Sequence, residues 1–457
     1  MGVANARARL DVRTMDLLVR GGTTLTCDAS DRVLPPGEGD VLARDGAIVA
    51  IGAGAESEAQ RPCRIVDATG CAVIPGFVQA HVHLVQALFR GMADDLPLLT
   101  WLKERIWPLE AAHDEASLRA SAELGLLELL RSGTTTILDM GTTHGHEVVL
   151  DAIDRVGLRA RSGKAMMDVG EGVPAALRES TRESLAESER LARAYLRHPR
   201  IRVAFAPRFI LSCTESLVRQ ACELAASLEL IVHTHAAEHA DERAAVRAML
   251  GDDDVAILAR WGVSGPRAVL AHCVQVDDVE ARSLAEAGTR VVHCPSANLK
   301  LGSGIARVHA LQQAGVVVGL GADGAPCNNN LDALTELRHA ALLAKARTGT
   351  STLPARAALR LATIDGARVL GMEREIGSLE VGKRADVVAI DLGGAHAEPG
   401  GDAVGRVVYA CRTSDVRHVV LDGRLRVHHG QPCDLDGEAI VQRARREARR
   451  LVSRAGL

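Results

Sequence analysis

Histidines and carboxylates that close apolar, strand-like runs are the residues of this 457-residue chain that could do chemistry. His81 and His83 end one run with alternating side chains, which points both imidazoles to one face of a strand. His235, His272 and Asp323 each end a later run. Imidazole nitrogen and carboxylate oxygen are ligands that zinc prefers, and a catalytic zinc keeps one position open for water. The pattern predicts one divalent metal, zinc or alternatively iron, held by His81, His83, His235 and Asp323.

Two further groups are predicted to handle protons beside this metal. A bound metal lowers the pKa of water towards about 7, which makes hydroxide available at neutral pH. Glu238 follows His235 by three residues and can receive the proton of the water and pass it to a substrate. His272 can orient the hydroxide or polarise the substrate. Asp323 can act both as a ligand and as a base, because a carboxylate has two oxygens.

The alternative is that such histidines are structural residues held by hydrogen bonds. His233, His239 and His293 are predicted to be of that kind, and Cys273 and Cys294 to be small core residues. For His81, His83, His235, His272 and Asp323 the joint pattern favours catalysis. Independent structural residues have no reason to recur at the same end of strands one, five, six and eight.

The elements that must position these residues are predicted to form an α/β fold. Between residues 75 and 372, apolar runs alternate with long helical stretches, which predicts a (β/α)8 barrel with its site at the carboxyl ends of the strands. The predicted helices include residues 117–131, 181–197, 215–226, 277–287 and 331–346.

Both ends of the chain carry short strand-like runs. Residues 1–74 and 373–457 are expected to pair into one small split β-sandwich, and a basic surface helix is expected at 438–454. The predicted strands are 17–20, 40–43, 47–51, 64–66, 385–390, 407–409, 419–422 and 424–427.

Composition excludes several classes of function. The chain is 47% hydrophobic and 25% charged with a net charge of -4, which argues against large-scale disorder and nucleic-acid binding and favours a small-molecule partner. Ten scattered cysteines predict reduced thiols in a cytoplasm. The Arg-rich segment 2–14 does not resemble a signal peptide, and no apolar run is long enough for a membrane span. A homo-oligomer is expected for an enzyme of this size.

Five motifs together resemble the amidohydrolase superfamily, specifically its cytosine, guanine and adenosine-type deaminase branch. The resemblance covers nearly the whole chain and implies a metal-dependent barrel, a split β-sandwich and hydrolytic deamination of a ring carbon. Binuclear relatives carry a carboxylated Lys at the end of strand four; the corresponding residues 203–209 contain no Lys, which implies a single metal. The motifs lie at residues 75–83, 233–238, 270–273, 319–324 and 377–386.

The substrate is suggested by segments that resemble deaminases of 5'-deoxyadenosine, 5'-methylthioadenosine and S-adenosylhomocysteine. These are residues 98–110, 293–301 and 325–332. In that group a Trp stacks near the nucleoside and a Glu nine residues later bonds the ribose hydroxyls, roles that the resemblance carries to Trp101 and Glu110. The alternative is a helix with Trp101 in the core and Glu110 solvated.

Three residues resemble guanine deaminase instead. Gln86 and Arg208 match an amide and a guanidinium that read the purine edge, and Lys164 stands where relatives that use S-adenosylhomocysteine can carry an Arg for the amino-acid carboxylate. The hypothesis is a deaminase of adenine nucleosides with small 5' groups, 5'-deoxyadenosine first and methylthioadenosine next. Guanine deaminase, an s-triazine hydrolase and a catalytically inactive structural relative are the alternatives.

Overall fold

The computed structural model describes residues 15–457, so the Arg-rich segment 2–14 lies outside the described residues. The strands of this part are β1 (Asp16–Arg20), β2 (Thr23–Leu25), β3 (Val33–Leu34), β4 (Val41–Arg44), β5 (Ala47–Ile51), β6 (Cys63–Asp67), β7 (Cys71–Pro75), β8 (Phe77–His83), β9 (Thr134–Met140), β10 (Arg159–Gly163), β11 (Ala165–Met166), β12 (Ile201–Val203), β13 (Ala206–Pro207), β14 (Val232–Ala236), β15 (Ala268–His272), β16 (Arg290–His293), β17 (Val318–Leu320), β18 (Asp323–Gly324), β19 (Val387–Asp391), β20 (Val416–Leu421), β21 (Arg424–His428) and β22 (Gln431–Pro432).

The helices of the same part are α1 (Leu98–Trp101), α2 (Trp107–Ala111), α3 (Glu115–Arg131), α4 (His146–Val156), α5 (Thr181–Tyr195), α6 (Glu215–Ser227), α7 (Ala240–Leu250), α8 (Asp254–Arg260), α9 (Asp278–Ala287), α10 (Pro295–Lys300), α11 (Val308–Ala314), α12 (Ala325–Asn328), α13 (Ala333–Thr348), α14 (Ala355–Leu361), α15 (Ile364–Val369), α16 (Ala403–Tyr409) and α17 (Gly437–Ala455). Residues 15–457 contain no helix that is long and apolar enough to cross a membrane.

Two parallel sheets carry the central part of the chain. One has the order β12-β10-β9-β8-β18 and the other the order β14-β15-β16-β17, with helices between successive strands. A parallel bridge between Phe205 and Val232 joins the edge of the first sheet to β14. Only two residues separate β17 from β18, which pairs with β8. The α/β class predicted from the alternation is confirmed.

Strands from both ends of the chain share one mixed sheet of seven strands, in the order β22-β21-β20-β19-β7-β2-β3. The link between the two ends is the antiparallel pair β7–β19, in which Val387 to Asp391 lie opposite Pro75 to Cys71. A second sheet, β5-β4-β1-β6, is built from the N-terminal strands alone.

The predicted helices agree with α3, α5, α6, α9, α13 and α17 to within about two residues at their ends. The strand predicted at 407–409 is wrong, because these residues end helix α16. The β-branched run suggested a strand, but Val404, Val407 and Val408 recur at helical spacing and are buried, and α16 packs against α13 and α14. Tertiary packing therefore overrides the local strand propensity.

Strand β8 determines where the candidate site lies. All seven of its residues are buried, and its last three residues include His81 and His83. Gly321 lets the segment between β17 and β18 pass close to β8, because a Cβ at this position would lie 2.7 Å from the carbonyl oxygen of His81 and 2.9 Å from its nitrogen. Glycine is therefore required to bring Asp323 beside the two histidines.

Candidate active site

Four strand ends bring the predicted metal ligands and His272 together. Asp323 on β18 lies opposite Val82 on β8, between His81 and His83 in the chain. His235 on β14 and His272 on β15 come from the second parallel sheet. Asp323 and His272 have φ angles of 65° and 74°, a left-handed conformation that residues other than glycine rarely adopt. Such backbone conformations are concentrated at functional sites, where the surrounding structure enforces them.

The donor atoms of His83, His235, His81 and Asp323 surround one point. His83 Nε2 lies 3.2 Å from His235 Nε2. Asp323 Oδ1 lies 3.3 Å from both His81 Nε2 and His83 Nε2. Two nitrogens bound to one tetrahedral zinc at about 2.0 to 2.1 Å are separated by roughly 3.3 Å. The observed separations therefore match those of ligands that share one ion.

The outer ring nitrogens of these histidines are held by hydrogen bonds. His83 Nδ1 donates to the carbonyl of Met140 at 2.8 Å, and His235 Nδ1 donates to the carbonyl of Arg208 at 2.7 Å. Because a carbonyl oxygen can only accept, the proton of each ring is on Nδ1 and the lone pair is on Nε2. An imidazole held in this way presents its lone pair to a metal, as outer partners of metal ligands commonly arrange.

The residues present therefore fit a divalent metal ion. His81 Nε2 is buried and has no hydrogen-bond partner among residues 15–457. Burial lowers the pKa of His83 to about 3 and that of His235 well below its usual value, so both rings are neutral ligands at neutral pH. Burial would raise the pKa of Asp323, but its contacts with His81, His272 and His83 outweigh that effect and hold the pKa well below its ordinary value.

Glu238 and His272 lie directly beside these ligands. Glu238 Oε2 is 3.5 Å from His272 Nε2, and His272 Nε2 is 4.0 Å from Asp323 Oδ2. One donor atom from each of His81, His235, His272 and Asp323 also lies within 4.8 Å of the others. The Nε2 of His83 lies 3.3 Å from the Asp323 carboxylate and that of His272 lies 4.0 Å from it, which supports the predicted choice of His83 as a ligand.

The carboxyl of Glu238 favours its protonated form. Burial raises its pKa well above the ordinary value, the charge of Asp323 raises it further, and Arg208 lowers it by less. Glu238 Oε1 is buried without a hydrogen-bond partner in the described part of the chain. A protonated carboxyl can donate to a ligand in the cavity, whereas the carboxylate of Asp323 can only accept.

The site opens into a small cavity that has a polar end and an apolar wall. Trp101 and Gln86 reach the cavity, and both Trp101 Nε1 and Gln86 Oε1 lack hydrogen-bond partners within residues 15–457. The lining consists of His83, Gln86, Leu98, Trp101, Leu102, Arg208, Phe209, His235, Glu238, Leu301 and Asp323.

Glu110 is buried at the edge of this lining, so the alternative in which it is solvated is wrong. Its Oε1 accepts from Gln86 Nε2 at 2.8 Å and from Arg208 Nη2 at 3.2 Å, and its Oε2 accepts from Arg208 Nη1 at 2.5 Å. One wide π turn, Leu102–Ile106, separates Trp101 from α2, which carries Glu110. Gln86, Glu110 and Arg208 thus form one network at the cavity wall.

Lys164 is the second predicted substrate residue, after Glu110, that does not line the cavity. It is 1% exposed and forms a buried ion pair with Glu179. A role as the ligand of a substrate carboxylate would require this pair to break, and separating a buried pair is costly.

Comparison with known proteins agrees with the geometry. The profile of the amidohydrolase family matches residues 72–426. The chain belongs to the amidohydrolase family. Two similar proteins are the 5-methylthioadenosine/S-adenosylhomocysteine deaminase of Pelotomaculum thermopropionicum, 37% identical over 96% of this chain and 99% of the relative, and the 5'-deoxyadenosine deaminase of Methanothermobacter thermautotrophicus, 40% identical over 85% of this chain and 89% of the relative.

Among solved structures, an adenosine deaminase from Xanthomonas campestris with bound zinc is similar to this amidohydrolase. It has a TM-score of 0.91 and 35% identity, and the match covers 96% of this chain and 99% of that one. The predicted resemblance is confirmed, as is the prediction of a hydrolase that acts on carbon–nitrogen bonds and uses a divalent metal.

The sequence-based interpretation missed residues that orient the amidohydrolase ligands. His233, predicted only as structural, shares a 2.9 Å hydrogen bond with Nδ1 of His81. Asn298 contacts His272 Nδ1 through its Oδ1 at 2.9 Å. Asp139 accepts from the nitrogen of Leu84, directly after His83. A buried carboxylate at the end of the apolar strand β9 was a signal that could have identified Asp139.

Proposed function

We propose that the chain is a metal-dependent hydrolytic deaminase of adenine nucleosides with small 5' groups, chiefly 5'-deoxyadenosine and 5'-methylthioadenosine. Water and the nucleoside would give the inosine-type product and ammonia. The observation that carries this proposal is the carboxyl of Glu238, which lies 3.5 Å from His272 between the metal-binding donors and a cavity lined by Trp101. The similarity to proteins named as deaminases of these nucleosides supports it.

The proposed architecture is a (β/α)8 barrel over residues 75–372 with a split β-sandwich from residues 1–74 and 373–457. The parallel pairings that run from β18 through β8 to β12, and from β14 to β17, support a closed barrel of eight strands in which β17 and β18 are two pieces of one strand. The sheet shared by β7 and β19 supports the split domain. Residues 1–14 of the proposed N-terminal part lie outside the described residues.

The proposed metal is one zinc ion per chain, bound by His81, His83, His235 and Asp323, with iron as the alternative. When bound, such an ion lowers the pKa of water so that a nucleophile is available at neutral pH. The similar Xanthomonas campestris structure holds zinc. Cytoplasmic location and homo-oligomeric assembly stay predictions.

Different residues around the proposed zinc would carry out the separate proton transfers of the reaction. In its protonated form, Glu238 would donate to a ring nitrogen of the adenine, so that negative charge does not accumulate on the ring. His272, whose Nδ1 proton faces Asn298 Oδ1, would accept a hydrogen bond at Nε2 from the group that attacks C6 and so orient it. The Asp323 carboxylate, or Glu238 in its ionised state, would accept a proton and return it to the departing amino group, which leaves as ammonia.

The cavity wall supports a small 5' group. Trp101 would stack near the nucleoside, and Glu110 would accept from the ribose hydroxyls after exchanging its contacts with Gln86 and Arg208. Leu98, Leu102, Phe209 and Leu301 supply an apolar lining to which a methyl or methylthio group is complementary. Because Lys164 is paired with Glu179, we propose that a long charged tail is bound less well.

Guanine deamination is the second candidate. It is favoured by Gln86 and Arg208, whose amide and guanidinium line the cavity and could read a purine edge. It is opposed by Glu110, which accepts hydrogen bonds from both Gln86 and Arg208 in the structure. A carboxylate at this position is also suited to accept from vicinal hydroxyls, which guanine lacks.

Ammonia release from a panel of substrates tests the proposal. The panel is 5'-deoxyadenosine, methylthioadenosine, S-adenosylhomocysteine, adenosine and guanine, with a chlorinated triazine assayed for chloride. We expect the highest kcat/KM for 5'-deoxyadenosine, with methylthioadenosine next. Turnover of guanine alone would favour the second candidate, and chloride release would favour a triazine hydrolase. A protein that holds zinc but turns over none of them would overturn the proposal.

A further inference from the structure

Three histidines outside the candidate active site lie together at the C-terminal hairpin. His418 on β20 stands directly opposite His428 on β21 in the antiparallel register. His429 follows in the turn to β22, where His428 pairs with Gln431. Opposite residues of an antiparallel pair point to the same face with their Cβ atoms about 5 Å apart. We call His418, His428 and His429 the hairpin histidine cluster.

The rings of the hairpin histidine cluster are close enough to share a ligand. One ring nitrogen from each residue lies within 4.8 Å of the other two. The ring centroid of His418 is 5.0 Å from that of His428 and 4.8 Å from that of His429, and the last two are 4.2 Å apart. His428 and His429 are exposed, so their side chains can rotate towards a common centre while the buried His418 stays fixed.

The turn backbone is shaped so that His429 joins the cluster. His429 and Gly430 have φ angles of 49° and 73°, the pattern of a two-residue turn with both central residues left-handed. Such turns usually carry Asn, Asp or Gly, so a histidine with this left-handed backbone conformation is uncommon. The nitrogen of His429 approaches His418 Nδ1 at 3.5 Å, and the nitrogen of Gly430 donates to the carbonyl of Arg417 at 2.9 Å.

The ring of the buried His418 has a nitrogen that could bind a metal ion. His418 Nε2 is buried and has no hydrogen-bond partner in the chain from residue 15 onwards. A ring whose proton is on Nδ1 presents the lone pair of Nε2 to a metal ion, and the 3.5 Å contact of the His429 nitrogen with Nδ1 would then be given up.

The donor atoms of the cluster select the kind of ion. Arg417 lies 3.4 Å from His429 Nδ1, and the positive charges of Arg64 and Arg417 both act on His428. Three imidazoles without a carboxylate, next to two cations, do not suit magnesium or calcium, which require oxygen ligands. Zinc, nickel and copper bind imidazole nitrogen through its lone pair, and they suit this set.

We propose that the hairpin histidine cluster is a second metal site, which binds one zinc, nickel or copper ion through His418, His428 and His429. The site clamps β20 to the turn between β21 and β22 and is open to solvent on the side of the two exposed histidines. It belongs to the seven-stranded sheet of the chain ends and shares no residue with the candidate active site.

Metal stoichiometry of the full-length, zinc-loaded protein tests the proposal. After equilibrium dialysis against micromolar free zinc, we expect two equivalents per wild-type chain and one for the His428→Ala/His429→Ala double variant. His309→Ala, which removes a histidine of α11 outside the cluster, serves as the control and should retain two. One equivalent in the wild type, or two in the double variant, would overturn the proposal. The count does not depend on deaminase activity, so it stands apart from the proposed function.

Copper spectroscopy supplies a second readout. One equivalent of Cu²⁺ added to protein with a zinc-filled active site should give an electron paramagnetic resonance spectrum with hyperfine structure from several nitrogens. We expect that spectrum to be lost, and the affinity for Cu²⁺ to fall at least tenfold, in the double variant, while the deamination rate with zinc is unchanged. A spectrum identical in wild type and double variant would contradict the assignment.

Discussion

Glu238 and Asp323 lie in the same cavity, but their surroundings favour opposite protonation states. Burial keeps a proton on Glu238, whereas three neighbouring histidines keep Asp323 ionised. Two carboxyl groups whose environments push their pKa values apart are the usual basis for assigning a proton donor and a proton acceptor. At the scale of single residues, the proposed mechanism therefore depends on Glu238 more than on any other group that does not bind the metal.

Replacing Glu238 with Gln tests its role as a proton donor. The amide keeps the shape of the side chain but cannot transfer a proton, so we expect kcat for 5'-deoxyadenosine to fall by at least about 100-fold. The zinc content should match that of the wild type, because Glu238 is not among the proposed ligands. Steady-state kinetics and metal analysis on the same preparation provide the measurement; a variant with wild-type turnover would refute the assignment.

Asn298 is predicted to act through His272. Its Oδ1 lies 2.9 Å from His272 Nδ1 and fixes the ring that faces Glu238. We expect Asn298→Ala to lower kcat by about 10- to 100-fold, the range typical of outer partners of a metal site, with little change in KM. Asn298→Asp keeps an acceptor at this position and should recover part of the rate. Equal losses in both variants would indicate that the residue matters only for folding.

At the scale of elements, the long periodic segments could be predicted and the short irregular ones could not. The helix predicted at 181–197 forms as α5, where Ser180 caps an amphipathic run. The strand at 407–409 failed because packing against α13 and α14 decides its conformation. The π turn at Leu102–Ile106 leaves no periodicity to recognise. At the site, the types of the metal-binding residues could be predicted from their positions at the ends of strands. The ion pair of Lys164 with Glu179 could not, because it depends on a tertiary contact that the sequence spacing does not indicate.

The first turn of α13 supplies a prediction about pH. Glu336 is fully buried, and burial raises its pKa to about 8, while it accepts from the nitrogen of Ser296 at 3.1 Å. The folded state therefore holds a proton that the unfolded chain, with an ordinary carboxyl pKa near 4.5, releases. This stabilisation is complete below the unfolded pKa and is lost as pH rises through about 8.

We expect the free energy of unfolding of the wild type to fall between pH 6 and pH 9 by on the order of 2 kcal/mol more than that of Glu336→Gln. Urea titrations at several pH values, all at the same free zinc concentration, measure the difference. Glu104→Gln, a change at an exposed position, is the control and should follow the wild type. Parallel curves for wild type and Glu336→Gln would show that Glu336 does not titrate in this range.

At the scale of the whole molecule, the parallel sheets and the sheet of the chain ends are joined by a buried ion pair. Arg159, 1% exposed on β10, lies 2.5 Å from Asp422 and 3.5 Å from Asp386. Asp386 also accepts from the nitrogen of Asp422 at 2.8 Å. Strand β10 belongs to the sheet that carries the candidate site, and both aspartates belong to the C-terminal segment.

Replacing Arg159 with Met should therefore destabilise the joint between the two parts. The variant leaves Asp386 buried without its cation, and we expect the free energy of unfolding to fall by about 3 to 5 kcal/mol. Arg159→Met/Asp386→Asn also removes the uncompensated charge of Asp386. This double variant should recover part of the lost stability, because the loss in Arg159→Met arises from that charge rather than from missing side-chain volume.

The control is Arg20→Met, in an exposed pair with Glu56, which should lower the free energy of unfolding by less than about 1 kcal/mol. Urea unfolding of all four proteins at equal zinc occupancy measures these differences. A single variant as stable as the Arg20→Met control would show that the two parts are held together by their apolar contacts alone.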